Sequence, residues 1–448
     1  MDRRVSLGAC ALLFLLLCVG CDQVVDDECV LPEIENNVAL PAADPPRELD
    51  PSDRVVSPEV SAYLDARQQE LEIVATTTTK RGQVYDWIDI NSQVSGGQIA
   101  SPPPLDPAPG ATSPGDTCGS LLARSELEEE PEALGPPGTV PVLRIDPNRI
   151  YAPGSVQDFL SKYGDASDVP ANIVDESLPP PQTGSAPRHH YVLGGMDVSN
   201  YGGEGYINLW EPFVLAKTEQ STSQISVSVG VSPSKSAANE TVEAGWHVLG
   251  ALYGDFATRF FVFFTTNGYT EQGPLKGGYN MLQSGWVQTS RTITPGVILT
   301  PVSVLDGAQV EFYLRVQLHE GKWWIRYNDE FVGYYLASLY SQTGLGTKSE
   351  RVHFYGETND DPAIEGMTLN DMGSGRFPLK GLEKRAAAYM RTLQVQETPE
   401  GYDRSKFVGK RVLVTNPKCY NILNEFGSTG PWNSHFYYGG DGQNKDCP

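Results

Sequence analysis

Positive charge is scarce in this sequence, and histidine is scarcer. Lys and Arg number 33 against 56 Asp and Glu over 448 residues, a net charge of −23 at pH 7. A protein that holds nucleic acid through its phosphates carries the opposite balance, so nucleic acid is not an expected partner. Only six His occur, and there is no Cys-x-x-Cys or His-Glu-x-x-His spacing, which leaves a zinc site without support. Gly-x-Ser-x-Gly, the P-loop and the dinucleotide fingerprint are missing too, and no cofactor is expected. Outside one run at 5–19 no segment suggests a membrane span, and that run is too short for a confident one. No internal repeat is evident. What is plentiful is Gly (45), Pro (34) and hydrophobic residues (40%, with seven Trp), which indicates real cores joined by many turns. The long helices of a parallel α/β enzyme are not expected.

The acidity is unevenly placed. Residues 1–187 hold 11 Lys and Arg against 30 Asp and Glu, a net of −19, whereas residues 188–448 hold 22 against 26, a net of −4. At the start, Asp2-Arg3-Arg4 followed by the apolar run 5–19 reads as a signal peptide ending near residue 21. Its end, Leu17-Cys18-Val19-Gly20-Cys21, resembles a bacterial lipobox, which implies lipidation at Cys21. Cys18 departs from that pattern, where Leu is usual, and an ordinary cleaved secretory signal is the alternative. Export is expected either way, as a cell-envelope lipoprotein or a secreted protein, with the membrane reached only through a lipid anchor. Cys10 and Cys18 leave with the signal, so Cys29, Cys118, Cys419 and Cys447 remain. In an oxidising compartment their natural pairing is within each part, Cys29 with Cys118 and Cys419 with Cys447.

Residues 22–187 read as a small α+β region among flexible segments. An acidic tether at 22–48 precedes a helix at 58–75 and one or two strands over 76–93. Pro-rich stretches at 102–114 and 179–187 resist regular structure. The charge cluster 126–132 reads as a solvated helix turn or loop, and 139–144 as an edge strand containing Pro141. From Arg188 to Pro448 the texture changes to short alternating runs: 205–209, 223–229, 241–249, 259–265, 286–293, 309–318, 322–327, 331–335, 352–355 and 366–369. Gly, Asn, Asp and Pro separate them, and one short helix is expected at 381–390. The fold class is therefore all-β for 188–448, a sandwich of two antiparallel sheets.

Carboxylates remain as the obvious catalytic groups. In the run 241–248, alternation places Val242, Ala244, Trp246 and Val248 on one face and Thr241, Glu243, Gly245 and His247 on the other. In 352–358, Val352 and Phe354 share one face, with His353, Tyr355 and Glu357 opposite. Glu is disfavoured inside strands, so finding Glu243 and Glu357 there selects them as candidates. The bland reading is that both are solvent-facing residues of exposed strands.

Blocks at 219–230, 242–248, 252–260, 278–282, 321–325, 332–335, 355–357, 372–377 and 436–440 resemble the neprosin family, in family order across nearly all of 188–448. Residues 82–90 and 138–144 are similar to that family's propeptide region. The resemblance implies a secreted glutamic endopeptidase, made as a proenzyme, that cuts proline-containing proteins and peptides after proline at acidic pH. It implies a β-sandwich, and a catalytic pair formed by Glu243 in Val-Glu-Ala-Gly-Trp and Glu357 in Tyr-Gly-Glu. Cys419 and Cys447 match the family's C-terminal bridge, whereas Gly278 and Gln283 stand where members often carry a second one.

In such a pair one carboxyl acts as general base and the other as general acid, with the assignment left open by sequence. Tyr355, His353 and His247 are candidates to hold the intermediate, and Trp246, Trp323 and Trp324 to shape a proline pocket. The acidic N-terminal region is a candidate pH-labile inhibitor, the chain's own partner, or simply a solubilising tether. The alternatives to a peptidase are a glycoside hydrolase, or a carbohydrate- or surface-binding module on the same fold.

Overall fold

A computed structural model describes residues 46–108, 120–162, 188–230, 240–269, 271–361, 370–378, 386–399, 404–442 and 447. Cys21, Cys29, Cys118, the stretch 179–187 and the expected strand 366–369 lie outside the described residues.

In chain order the N-terminal region contains α1 (Pro58–Gln69), β1 (Ile73–Thr78), β2 (Val84–Asp89), β3 (Leu121–Leu122), β4 (Arg124–Ser125), α2 (Glu126–Glu129), β5 (Thr139–Leu143) and α3 (Val156–Leu160). Ser57 caps α1 by accepting from the Val60 amide, and Pro58 occupies the first turn, where its missing N–H costs nothing. The helix stops short of the expected residue 75, because the β-branched run from Ile73 favours a strand. β1, β2 and β5 form a three-stranded antiparallel sheet, with Pro141 on its edge strand as expected. The cluster 126–132 differs from its solvated reading. Ser125 and Glu128 close a capping box, and Glu126 is buried, accepting from the Tyr85 hydroxyl (2.6 Å) and Thr79 Oγ1 (2.9 Å).

The remainder forms β6 (Arg188–Asn200), β7 (Gly202–Asn208), β8 (Gln220–Val229), β9 (Glu240–Leu249), β10 (Arg259–Thr265), β11 (Gly277–Tyr279), β12 (Trp286–Gln288), β13 (Leu299–Thr300), β14 (Val310–His319), β15 (Lys322–Tyr327), β16 (Glu330–Leu336), β17 (Ser349–Asp360), β18 (Ala388–Gln396), β19 (Arg411–Val414), β20 (Asn421–Glu425) and β21 (His435–Gly439). One sheet has the order β11-β10-β9-β8-β17-β6-β19. The other runs β12-β16-β15-β14-β7-β18-β21-β20, with residues 404–406 beside β18 and β3 beside β14. Within the sandwich itself, neighbouring strands in both sheets are antiparallel. Of the expected helix at 381–390, residues 381–385 lie outside the described residues, and the helical reading of 388–390 is corrected by β18. Its Ala-rich start has helical propensity, but Ala388 and Met390 alternate into the core while Tyr389 and Arg391 reach Glu311 on the outer face. Tertiary packing overrides propensity here.

Side chains of one parity from each sheet fill the space between them: Ile225 and Val227, Val242 to Trp246, Phe260 to Phe264, Val352 and Phe354 meet Phe312 to Leu318, Trp323 and Phe436. The Cys419–Cys447 disulfide, Cα atoms 4.9 Å apart, is buried at the margin of this core. The opposite face of the seven-stranded sheet is buried as well. Phe261 and Phe263 cluster there with Leu160, and Tyr63, Leu64 and Phe159 pack against them. The N-terminal region also joins the other sheet, through β3 on β14 and through Asp106, which pairs with Arg315 (2.9 Å) and Arg326 (3.3 Å). It is interleaved with the sandwich rather than set beside it.

Trp246 ties the two sheets, its indole N–H donating to the Asn208 carbonyl at 2.9 Å. Trp246→Ala is expected to cost about 3–5 kcal/mol, read as a fall in the urea midpoint. An unchanged midpoint would contradict its place in the core.

Candidate active site

Strand β8 lies between the two strands that carry the candidate glutamates. Ser226 stands opposite Glu243 on β9, Thr222 opposite Glu357 on β17, and Gln224 opposite both Gly245 and Tyr355. Alternation sends Thr222, Gln224 and Ser226 to the same outer face as the glutamates. The two carboxylates therefore start one strand apart on either side of Gln224 and lean toward each other over it. Gly245 permits the close strand approach at this point, since a Cβ there would lie 2.0 Å from the Ser223 carbonyl oxygen.

Both glutamates are completely buried, and the group that joins them comes from the N-terminal region. Lys162, two residues past the end of α3, places Nζ 2.7 Å from Glu243 Oε2 and 2.8 Å from Glu357 Oε2. The two oxygens are thus no farther apart than these two contacts laid end to end. Beyond the lysine their surroundings differ. Glu243 accepts from neutral donors: Gln224 Nε2 (2.9 Å) and the Tyr355 hydroxyl (3.3 Å) on Oε2, and the Tyr269 (2.7 Å) and Thr241 (3.1 Å) hydroxyls on Oε1. Glu357 Oε1 instead meets His189 Nδ1 at 2.8 Å. Tyr269 is held in left-handed backbone (φ 64°), with its amide donating to Thr265 Oγ1, a strained conformation that aims its hydroxyl at Glu243.

Burial alone would raise the Glu357 carboxyl, but the Lys162 ammonium and His189 outweigh it and bring it down from 4.5 to about 2. Burial opposes the Lys162 charge, yet the two carboxylates hold it well above its ordinary value. Burial, reinforced by the Glu243 charge, pushes Tyr269 and Tyr355 well up, so both keep their protons and act as donors.

The other sequence candidates are placed elsewhere. His247 stacks on Phe261 (4.5 Å) and bonds the Tyr253 hydroxyl (2.7 Å), and burial holds it well below its ordinary value. His353 is pushed down to about 3, chiefly by burial, and lies 4.0 Å from Asp197. Trp246 and Trp323 belong to the core between the sheets, and Trp324 packs with Phe331 and Tyr334 on the far side of the other sheet. The Trp proline pocket is therefore corrected: these side chains serve packing. Tyr355 alone among the accessory candidates touches a glutamate. Sequence reasoning missed Lys162, His189, Gln224 and Tyr269. Two of them had a signal: Gln224 shares the polar parity of β8, and Lys162 is the one Lys or Arg between residues 150 and 187.

The depressed Glu357 carboxyl has a linkage consequence. A group with a lowered folded-state pKa stabilises the fold above its unfolded pKa and loses that contribution as pH falls through the folded value. Glu357 should therefore contribute about 3 kcal/mol at neutral pH, lost between roughly pH 4.5 and pH 2. Chemical denaturation of the full chain and of Glu357→Gln across this range is expected to show their stability difference shrinking on acidification. A constant difference would contradict it.

Among solved structures, SCP-B, a member of the Eqolisin family of peptidases in a complex with the tripeptide Ala-Ile-His, aligns at 9% identity over 56% of this chain and 98% of its own, with a TM-score of 0.27. Scytalido-glutamic peptidase with a peptide-based transition state analog aligns at 9% identity over 57% and 99%, with a TM-score of 0.28. Scores that low support no inference about shape or chemistry. The Neprosin family model, by contrast, matches residues 217–441, just over half of the chain, and that span includes Glu243, Glu357, Gln224, Tyr269 and Tyr355. The chain belongs to the Neprosin family.

Proposed function

We propose that this protein is an exported glutamic endopeptidase, made as a proenzyme, that hydrolyses peptide bonds after proline at acidic pH, with Glu243 and Glu357 as its catalytic pair. Family membership supports a glutamic-type peptidase. The observation that carries the finer reading is the single Lys162 nitrogen held between two fully buried carboxylates. With that cation withdrawn, two carboxylates this close cannot both ionise readily, so one takes up a proton and the pair becomes an acid and a base. The base takes a proton from water as its oxygen attacks the scissile carbonyl. The acid polarises that carbonyl and then protonates the leaving nitrogen. The Tyr269 and Tyr355 hydroxyls and the Gln224 amide are fixed donors around this space. Proline preference, export and the Cys21 anchor rest on the resemblance and on the N-terminal sequence.

The proenzyme reading follows from where Lys162 comes from. Its ammonium fills the place that water and substrate need, and it belongs to the region 22–187. Acid weakens the clamp, because Glu357 gives up its contribution as pH falls from about 4.5 towards 2.

The test is a proline-containing quenched peptide with products read by mass spectrometry, before and after acid treatment. Cleavage after proline is expected only after acidification. Glu243→Gln or Glu357→Gln should lower kcat by at least about 10²-fold, the scale of a lost general acid or base. Activity retained in both variants would sink the pair. No cleavage at any pH would favour the binding-module alternative. Lys162→Met is expected to speed activation at pH 5 by about tenfold or more, because a clamp of a few kcal/mol is gone. Unchanged activation would separate Lys162 from latency.

A further inference from the structure

The partners of the two glutamates differ in kind, and the difference outlasts the departure of Lys162. Glu243 is ringed by an amide and three hydroxyls, all neutral. A hydroxyl donates to a carboxylate but equally accepts from a carboxylic acid, so this ring suits Glu243 in either protonation state. Glu357 faces an imidazole. His189 lies diagonally across the β6–β17 pair, where His189 is opposite Asn359 and Tyr191 is opposite Glu357, so both side chains leave the same face of the sheet. The contact is buried, with side-chain exposures of 2% and 0%. Tyr191 stacks on the imidazole at 6.1 Å, and β6 is paired on its other side by β19. His189 is thus part of the sheet, whereas Lys162 is carried by the N-terminal region. It also lies upstream of the span 217–441 that the family model matches.

We infer that His189 is a positioning residue that reserves Glu357 as the proton acceptor of the pair and leaves Glu243 as the acid. This rests on the peptidase reading above. An ionised Glu357 can only accept, so the His189 contact then carries its proton on Nδ1 and stabilises the carboxylate rather than the acid, which leaves the single proton of the pair to Glu243. In the reaction, water gives a proton to Glu357 and its hydroxyl to the scissile carbon. The C–N bond breaks as Glu243 gives its proton to the nitrogen, and transfer of a proton from Glu357 to Glu243 restores the pair. Among the described residues, the titratable groups facing Glu357 are Lys162 from the N-terminal region, Glu243 from β9, Tyr279 from β11, Tyr355 from β17 and His189 from β6. Tyr279 and Tyr355 are pushed up, chiefly by burial, and stay protonated, so with Lys162 gone His189 is the group in this set that distinguishes one glutamate from the other.

The test pairs two readouts on the full chain. The first is a carboxyl titration with 13C-labelled glutamate, assigned through Glu243→Gln and Glu357→Gln. The second is kcat and KM against pH on the proline-containing peptide after acid activation. In His189→Ala, Glu357 should titrate about one pH unit or more higher. The kcat should fall by about tenfold or more with KM within about twofold, and the acid limb of kcat/KM should move up. His189→Asn, which returns an N–H near the Nδ1 position, should recover part of the loss. An unchanged Glu357 titration and acid limb would overturn the inference, as would movement of Glu243 instead. If the titration shifts but the wild type cleaves no peptide, the peptidase reading falls and the acceptor role falls with it.

Discussion

A single ammonium between two carboxylates is the contact on which the outer face of the seven-stranded sheet depends. Taking each of these ions out of water costs several kcal/mol. Each contact near 2.7 Å returns about 6 kcal/mol at an effective dielectric of 20. Without the ammonium the two ionised carboxylates repel, and without the carboxylates a buried ammonium has nothing to offset its lost hydration. Lys162 reaches this position only when α3 docks, which in turn requires Leu160 to enter the cluster of Phe261, Phe263, Tyr269 and Tyr279. Apolar burial and charge neutralisation are thus coupled through the short segment 156–162.

The same coupling lets an acidic region pack over two buried carboxylates. A region with a net charge of −19 does not close a site on a part with −4 by bulk attraction. It does so by presenting one cation at one place, under a cover of apolar side chains that strengthens the local field. Elsewhere the signs are reversed: Asp106 of the N-terminal region pairs with Arg315 and Arg326 on the other sheet. With β3 added to β14 and β4 to β13, the region is held at several places far from the glutamates. On the proposed proenzyme reading, release of Lys162 would leave these attachments in place.

Much of this arrangement is legible along the sequence because it rests on a period of two. Val242, Ala244 and Trp246 against Glu243 and His247, or Val352 and Phe354 against Tyr355 and Glu357, disclose which face each residue takes, and the structure keeps every one of those assignments. Periodicity does not disclose what covers a face. Phe261 and Phe263 of β10 sit opposite Phe260, Val262 and Phe264, so the strand is apolar on both sides, and only the docked helices explain the second side. Glu126 had the look of a solvated charge because its partners, Tyr85 and Thr79, are more than 40 residues away. The Ala386–Ala388 run had helical propensity but leads into an interior strand that begins at Ala388, since propensity is worth tenths of a kcal/mol and core packing several. His189 was invisible for a third reason: its contact is set by the register of β6 on β17, which no local pattern carries.

Placing the glutamates on strands that flank β8, rather than on adjacent strands, has a chemical advantage. Neighbouring strands lie about 4.8 Å apart, so directly paired glutamates would crowd each other and leave no room for a reactant. With β8 between them, the side chains converge only at their tips, over the Gln224 amide, and leave a gap of about one small polar group. In the closed protein that group is the Lys162 ammonium, which meets both oxygens at hydrogen-bonding distance without displacing the Tyr269, Tyr355 or Thr241 hydroxyls. A water molecule has nearly the same size and can also bridge two acceptors. On the proposed peptidase reading, the geometry that suits the Lys162 nitrogen is therefore also the geometry that would position a water between an acceptor and an acid. The sheet supplies it in advance, so removing the lysine requires no rebuilding of the site.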